Sequence, residues 1–213
     1  MKAIMEQVSQ KETQILLELL EKSLATPGDV VELGCYKGDT SILFQKLLQE
    51  KAPAKKLWLY DSFAGLPQKT KEDNSAAGDQ FKEGELFVTK KEVITKFKKH
   101  NLKLPIIKKN FFENLNPALD LPEKIAFAFL DGDLYTSIKT SLKLVAPKIQ
   151  KNGVIVVHDY NNPELPGVSH AVDEFISQAP SSRLSLSSSP SSSLPLLPQP
   201  NLQRRESLAI LHC

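Results

Sequence analysis

Four short stretches carry the acids and glycines on which chemistry could be built. The first, Val30-Val31-Glu32-Leu33-Gly34-Cys35-Tyr36-Lys37-Gly38-Asp39-Thr40, runs from apolar residues through a glycine turn into helical spacing. Glycines there let backbone approach a ligand closely, and the helix start offers unpaired N–H groups. Gly34 and Gly38 are four apart with bulky residues between them, which is not the G-x-G-x-x-G dinucleotide fingerprint. Glu32 would repel a pyrophosphate and suits a cationic amino group. A strand–helix turn without any ligand is the plainer alternative. The second stretch, Leu59-Tyr60-Asp61-Ser62-Phe63-Ala64-Gly65-Leu66-Pro67, puts Asp61 at a strand end. A carboxylate there can accept hydrogen bonds from the hydroxyls of a ribose, or cap a turn.

The third and fourth stretches are Phe129-Leu130-Asp131-Gly132-Asp133-Leu134-Tyr135 and Val156-Val157-His158-Asp159-Tyr160. Each follows an apolar run, so Asp131, Asp159 and either Asp133 or His158 could converge within metal-ligand distance. Oxygen ligands with open water positions fit Mg²⁺, and an imidazole moves the preference toward Mn²⁺, Fe²⁺ or Zn²⁺. Alternatively these acids cap the helices that follow, Asp133 standing just before a helical run.

The elements that would position these residues alternate along the chain. The spacing predicts a helix over Glu12–Leu24, with Ile15, Leu16, Leu19, Leu20 and Leu24 on one stripe and Thr26-Pro27-Gly28 as its stop. Strands are expected at Asp29–Leu33, Lys56–Tyr60, Pro105–Lys108, Ile125–Leu130 and Gly153–Val157. Helices are expected at Thr40–Gln49, Val88–His100, Thr136–Pro147 and Ser169–Ser177. Ile125–Leu130 is apolar at every position, as a parallel strand buried on both faces requires. This alternation implies an α/β fold with a doubly wound, mostly parallel sheet. Ligands of such sheets sit beyond the carboxyl ends of the strands. The polar loop Ser62–Leu86 is long enough to be a lid or binding loop.

At 213 residues the chain is one domain with an appendage. Residues 1–178 hold all 24 lysines against 24 acids, so this body has no charge-based reason to bind nucleic acid or a membrane surface. The lysine-dense stretch Lys90–Lys109 reads as a solvated helix face, or as a patch for a phosphorylated sugar. Residues 179–203 switch to Ser, Pro and Leu and read as a disordered low-complexity segment, either a solvated linker or a stretch of irregular origin. Residues 204–213 read as a strand rejoining the sheet edge. No apolar run spans a membrane, no export signal is present, and Cys35 and Cys213 form no framework. These features fit a cytoplasmic protein.

Taken together, the four stretches resemble the class I S-adenosylmethionine-dependent methyltransferases, and most closely the macrocin O-methyltransferase family. The resemblance runs from about Gly28 to Phe175. It is carried by Glu-Leu-Gly-x-x-x-Gly at 32–38, Asp-Ser-Phe-Ala-Gly-Leu-Pro at 61–67, Leu-Asp-Gly-Asp-Leu-Tyr at 130–135, and His158-Asp159-Tyr160 with the segment to Phe175. It implies a single Rossmann-like methyltransferase domain over 1–178, with S-adenosyl-L-methionine as cofactor and a sugar or related small-molecule hydroxyl as acceptor. Glu32, Gly34, Cys35 and Tyr36 would line the methionine part, Asp61 with Ser62 and Phe63 the ribose, and Phe111-Phe112 the adenine. Asp131 would touch the cofactor site and ligate a metal with His158 and Asp159, with Mg²⁺ the ion that the resemblance implies. The family usually has two aspartates where this chain has His158-Asp159, and some members carry a loop histidine that is missing here. Asp133 and His158 are the remaining candidates for the base. A homodimer is compatible with the family. A cofactor-binding module without turnover and a nicotinamide oxidoreductase are the alternatives.

Overall fold

Residues 7–77, 79–178 and 201–213 are described by a computed structural model. Its first half contains α1 (Gln10–Ser23), β1 (Asp29–Leu33), α2 (Asp39–Lys51), β2 (Leu57–Asp61), α3 (Lys90–Lys99) and β3 (Ile106–Lys109). The second half contains β4 (Ile125–Leu130), α4 (Tyr135–Val145), β5 (Ile149–Val157), α5 (Pro166–Gln178), β6 (Asn201–Arg205) and β7 (Leu208–His212). The strands form one sheet in the order β3-β2-β1-β4-β5-β7-β6. β1 to β5 run parallel, and β7 lies antiparallel between β5 and β6. The fold is thus the doubly wound, mostly parallel α/β sheet expected.

Side-chain alternation along each strand divides the core into two layers. Val30, Phe127, Phe129, Val154 and Val156 pack on one face against α1, α2 and α3, with Phe44 edge-on to both phenylalanines at 5.7 and 6.0 Å. Val31, Leu33, Ala128, Leu130, Ile155 and Val157 pack on the other face against α4 and α5. β4 is buried at all six positions, which its unbroken apolar run demanded. α1 begins where Ser9 and Glu12 close a capping box, and α3 begins the same way with Thr89 and Glu92.

Several expectations change. β5 starts at Ile149 rather than Gly153, because Ile149 pairs with Ile125 before the register shifts. α5 starts at Pro166, whose missing N–H is tolerated in a first turn. Asn201, Leu202 and Gln203, expected in the low-complexity segment, belong to β6. The last strand does not form the sheet edge either: β7 is internal, with Leu208 to Leu211 fully buried, and β6 is the edge. Residues 179–200 of that segment lie outside the described residues. Among the described residues no helix is long and apolar enough to cross a membrane.

Candidate active site

Sheet register places the functional residues in a row. Leu33 is level with Tyr60 and with Leu130, and Leu130 is level with Val157. The next residue of each strand or strand end, Gly34, Asp61, Asp131 and His158, therefore leaves the sheet at one height. The order of the strands reverses between β1 and β4, which opens a crevice at that rim. An open cleft of about 620 Å³ lies there, lined among others by Gly34, Tyr36, Asp61, Ser62, Phe111, Phe112, Asp131 and Asp133.

The rim is tightly built. Gly34 has φ of 92°, and a Cβ added to it would run into the Asp131 carbonyl. Only glycine lets β1 and β4 end so close together. Tyr36, Phe63, Asp133 and Asp159 all adopt positive φ, at 42°, 49°, 59° and 59°. Each follows a strand end, so unusual backbone recurs along this rim, as is common at functional sites.

Asp61 accepts from the Tyr36 N–H at 2.9 Å and the Phe63 N–H at 2.8 Å. These bonds fix its orientation. Burial pushes its pKa up, against the two N–H groups that stabilise the anion. Asp133 titrates well above the usual carboxylate range, first through burial and then through the charges of Asp131 and Asp159. Asp133 does not cap α4. Leu134 occupies the cap position without a side-chain bond, and the Tyr135 N–H donates instead to Asp73 Oδ1 at 2.7 Å. Asp73 comes from the Ser62–Leu86 loop, whose neck is closed by Leu66 N–H to Glu85 O at 2.8 Å and Gly84 N–H to Leu66 O at 3.0 Å.

Asp131, His158 and Asp159 do converge: each presents a donor atom, and the three lie within 4.8 Å of one another. His158 Nδ1 is 3.0 Å from Asp131 Oδ1 and 2.8 Å from Asp159 Oδ2. Burial by itself would lower the His158 pKa, but these carboxylates, with Glu12, outweigh it and raise the value. Two hard oxygens and one imidazole nitrogen fit a divalent cation, with the nitrogen favouring Mn²⁺, Fe²⁺ or Zn²⁺ over Mg²⁺.

Other residues fall elsewhere than the motif suggested. Glu32 is fully buried behind the rim, where it accepts from Thr40 Oγ1 and Ser41 Oγ at 2.5 Å each. It ties down the start of α2 and is not part of the cleft wall. Burial pushes its pKa up to about 8. Cys35 and Phe63 are buried in the layer under α1–α3, and neither they nor His158 and Asp159 line the cleft. The residues missed from the sequence are Asp73 and Glu12. Ser9-x-x-Glu12 was legible as a capping box, but the contact of Glu12 with the His158 ring, at 3.6 Å, was not.

A sheet of this order, with acids from several strand ends around one cleft, is the Rossmann-like methyltransferase fold. The O-methyltransferase NovP superposes with a TM-score of 0.74 at 23% identity, covering 95% of this chain and 79% of that one. The calicheamicin methyltransferase CalS11 gives 0.70 at 20% identity, covering 96% and 80%. Residues 5–181 match the model of the macrocin-O-methyltransferase (TylF) family, and the chain belongs to that family. Among curated relatives, demethyldecarbamoylnovobiocin O-methyltransferase of Streptomyces niveus is 30% identical over 70% of this chain and 58% of its own length. A tetracenomycin-C 4'-O-methyltransferase of Streptomyces olivaceus, whose full name specifies a dimethoxy-rhamnosyl substituent, is 28% identical over 63% and 53%. The chain thus spans little more than half the length of these relatives.

Proposed function

We propose that the chain is an S-adenosylmethionine-dependent O-methyltransferase acting on a hydroxyl of a sugar or related natural product, with a divalent ion bound by Asp131, His158 and Asp159. The observation that carries this reading is the register that levels Gly34, Asp61, Asp131 and His158 at one rim of the sheet, where the first three line the cleft. Family membership and the names of the relatives support the reaction and the acceptor class.

Within this reading Asp61, held by two N–H groups, keeps its outer lone pairs for the ribose hydroxyls. Phe111 and Phe112 form the apolar wall against which an adenine would lie, with Ser62 beside the ribose. Gly34 and Tyr36 line the cleft and would border the methionine part. Glu32 then acts from behind, by holding the α2 start that carries the turn, and not by gripping the amino group.

Methyl transfer moves a carbon from sulfonium sulfur to the acceptor oxygen, and the hydroxyl proton must go to a base. Asp133 lines the cleft, within reach of an acceptor bound there, and is the first candidate for the base. His158 is the weaker candidate, because its Nδ1 faces two carboxylates and its ring is 5% exposed. A bound divalent ion supplies acidification and orientation of a vicinal diol. Most of the acceleration would come from holding the two reactants in line.

The test is calorimetric titration with S-adenosylmethionine, followed by methyl transfer to a panel of glycosides with chelator and with Mn²⁺ or Mg²⁺ restored. Saturable cofactor binding that Asp61→Ala weakens at least ~10-fold, and turnover lost in Asp133→Asn, are expected. Absence of cofactor binding by folded protein would overturn the proposal. Binding without turnover on any acceptor would leave a binding module.

A further inference from the structure

The Glu12 carboxylate performs two tasks that the sequence pattern keeps separate. Its Oε2 accepts from Ser9 N–H at 2.9 Å and Ser9 Oγ at 2.7 Å, closing the α1 capping box. Its Oε1 accepts from the Ser207 hydroxyl and from the Ser207 N–H at 3.3 Å, in the turn between β6 and β7. The same Oε2 lies 3.6 Å from His158 Nε2. Glu12 is 7% exposed, so this is a carboxylate carried into the interior and fixed from two sides. His158 Nε2 has no hydrogen-bond partner among the described residues, and it is the only buried side-chain nitrogen or oxygen among them in that position.

These positions give the imidazole two unlike ends. Nδ1 faces Asp131 and Asp159, and Nε2 faces a carboxylate that belongs to no part of the cleft. A ligating histidine needs one nitrogen free of hydrogen and its ring held in orientation, and a carboxylate on the far N–H supplies both. We infer that Glu12 is a positioning residue for the metal cluster: it keeps the proton on His158 Nε2, so that Nδ1 stands with Asp131 and Asp159 as a ligand. α1 and the β6–β7 turn are thereby tied to the affinity of the ion site. The inference rests on the metal reading proposed above.

The test uses the full chain and Mn²⁺ alone, with free ion followed by electron paramagnetic resonance. Glu12→Gln is the informative variant, because glutamine at this position also serves a capping box yet offers no carboxylate to the ring. It should melt close to wild type and bind Mn²⁺ ~10–100-fold more weakly. Ser9→Ala, which removes the cap partner and leaves the carboxylate, should show the opposite pattern, a lower melting temperature with Mn²⁺ affinity retained. Should Glu12→Gln fail to fold, Ser207→Ala loosens the other oxygen and should lower Mn²⁺ affinity in the same direction. Equal affinities in wild type and the folded Glu12 or Ser207 variant overturn the inference alone. No Mn²⁺ binding by the wild-type chain overturns the metal reading, and this inference with it.

Discussion

Glu32 shows how one strand position decides a residue's task. Val31 and Leu33 point to the layer under α4 and α5, so Glu32, between them, points the other way, toward the start of α2. Thr40 and Ser41 meet it there, and burial holds its pKa near 8 against an ordinary 4.5. Because the folded value is the higher one, the stability that this group contributes is full below pH ~4.5 and is lost as pH rises toward 8. Glu32→Gln removes the ionisation while keeping groups for both hydroxyls. Its urea midpoint should fall less between pH 5 and 8 than that of the wild type, with a gain on the order of a few kcal/mol at pH 8. Parallel curves for the two proteins would show that the acid is not the cause. The motif alone announced an acid beside a glycine turn, and period-two alternation already contained its direction.

At the scale of elements, the Ser62–Leu86 loop, read as a lid or binding loop, is anchored to the body chiefly by Asp73, with Ser75 Oγ donating to Pro163 O at 2.7 Å beside it. Asp73 is 2% exposed, accepts from Thr70 N–H and Oγ1 at 2.8 and 3.0 Å, and caps α4 from 62 positions away. A Cβ on Gly167 would collide with the same carboxylate, so α5 also leaves room for it. Asp73→Ala strands the Tyr135 N–H at a helix start, at a cost of about 1–3 kcal/mol. Limited trypsin digestion should then cut faster at Lys69, Lys71 and Lys82 than in wild type, with the rest of the body intact. An unchanged cleavage pattern would mean that the loop neck at Leu66 and Glu85, with the Ser75 bond to Pro163, suffices to hold it. No local rule pointed to Asp73, since its partner is distant in the chain and Asp133 stood closer to the helix as the obvious cap.

For the molecule as a whole, the last residues are part of the core. Leu208, Ile210 and Leu211 are each fully buried, and full burial of such a side chain contributes roughly 1.5–3 kcal/mol. Three of them approach the ~5–15 kcal/mol by which a whole domain is stable. β7 also covers the hydrogen-bonding edge of β5 from Val154 to Val157. A chain ending at residue 178 should therefore lose its cooperative melting transition in circular dichroism and aggregate; a cooperative melt near that of the full chain would show that five parallel strands stand alone. The cluster of Asp131, His158 and Asp159 is equally a property of the whole sheet, because β4 and β5 meet in register while 27 residues separate the first two ligands.

What the amino-acid sequence determined by itself was the alternation of strands and helices, a glycine turn after β1, and the set of acids at strand ends. Those follow from periodicity and local sterics, which neighbouring residues carry. Tertiary structure alone decided which side chains face the cleft, that Asp73 rather than Asp133 caps α4, and that Glu12 meets His158. Such choices depend on strand register and on the packing of elements distant in the chain, and no short stretch of residues encodes either.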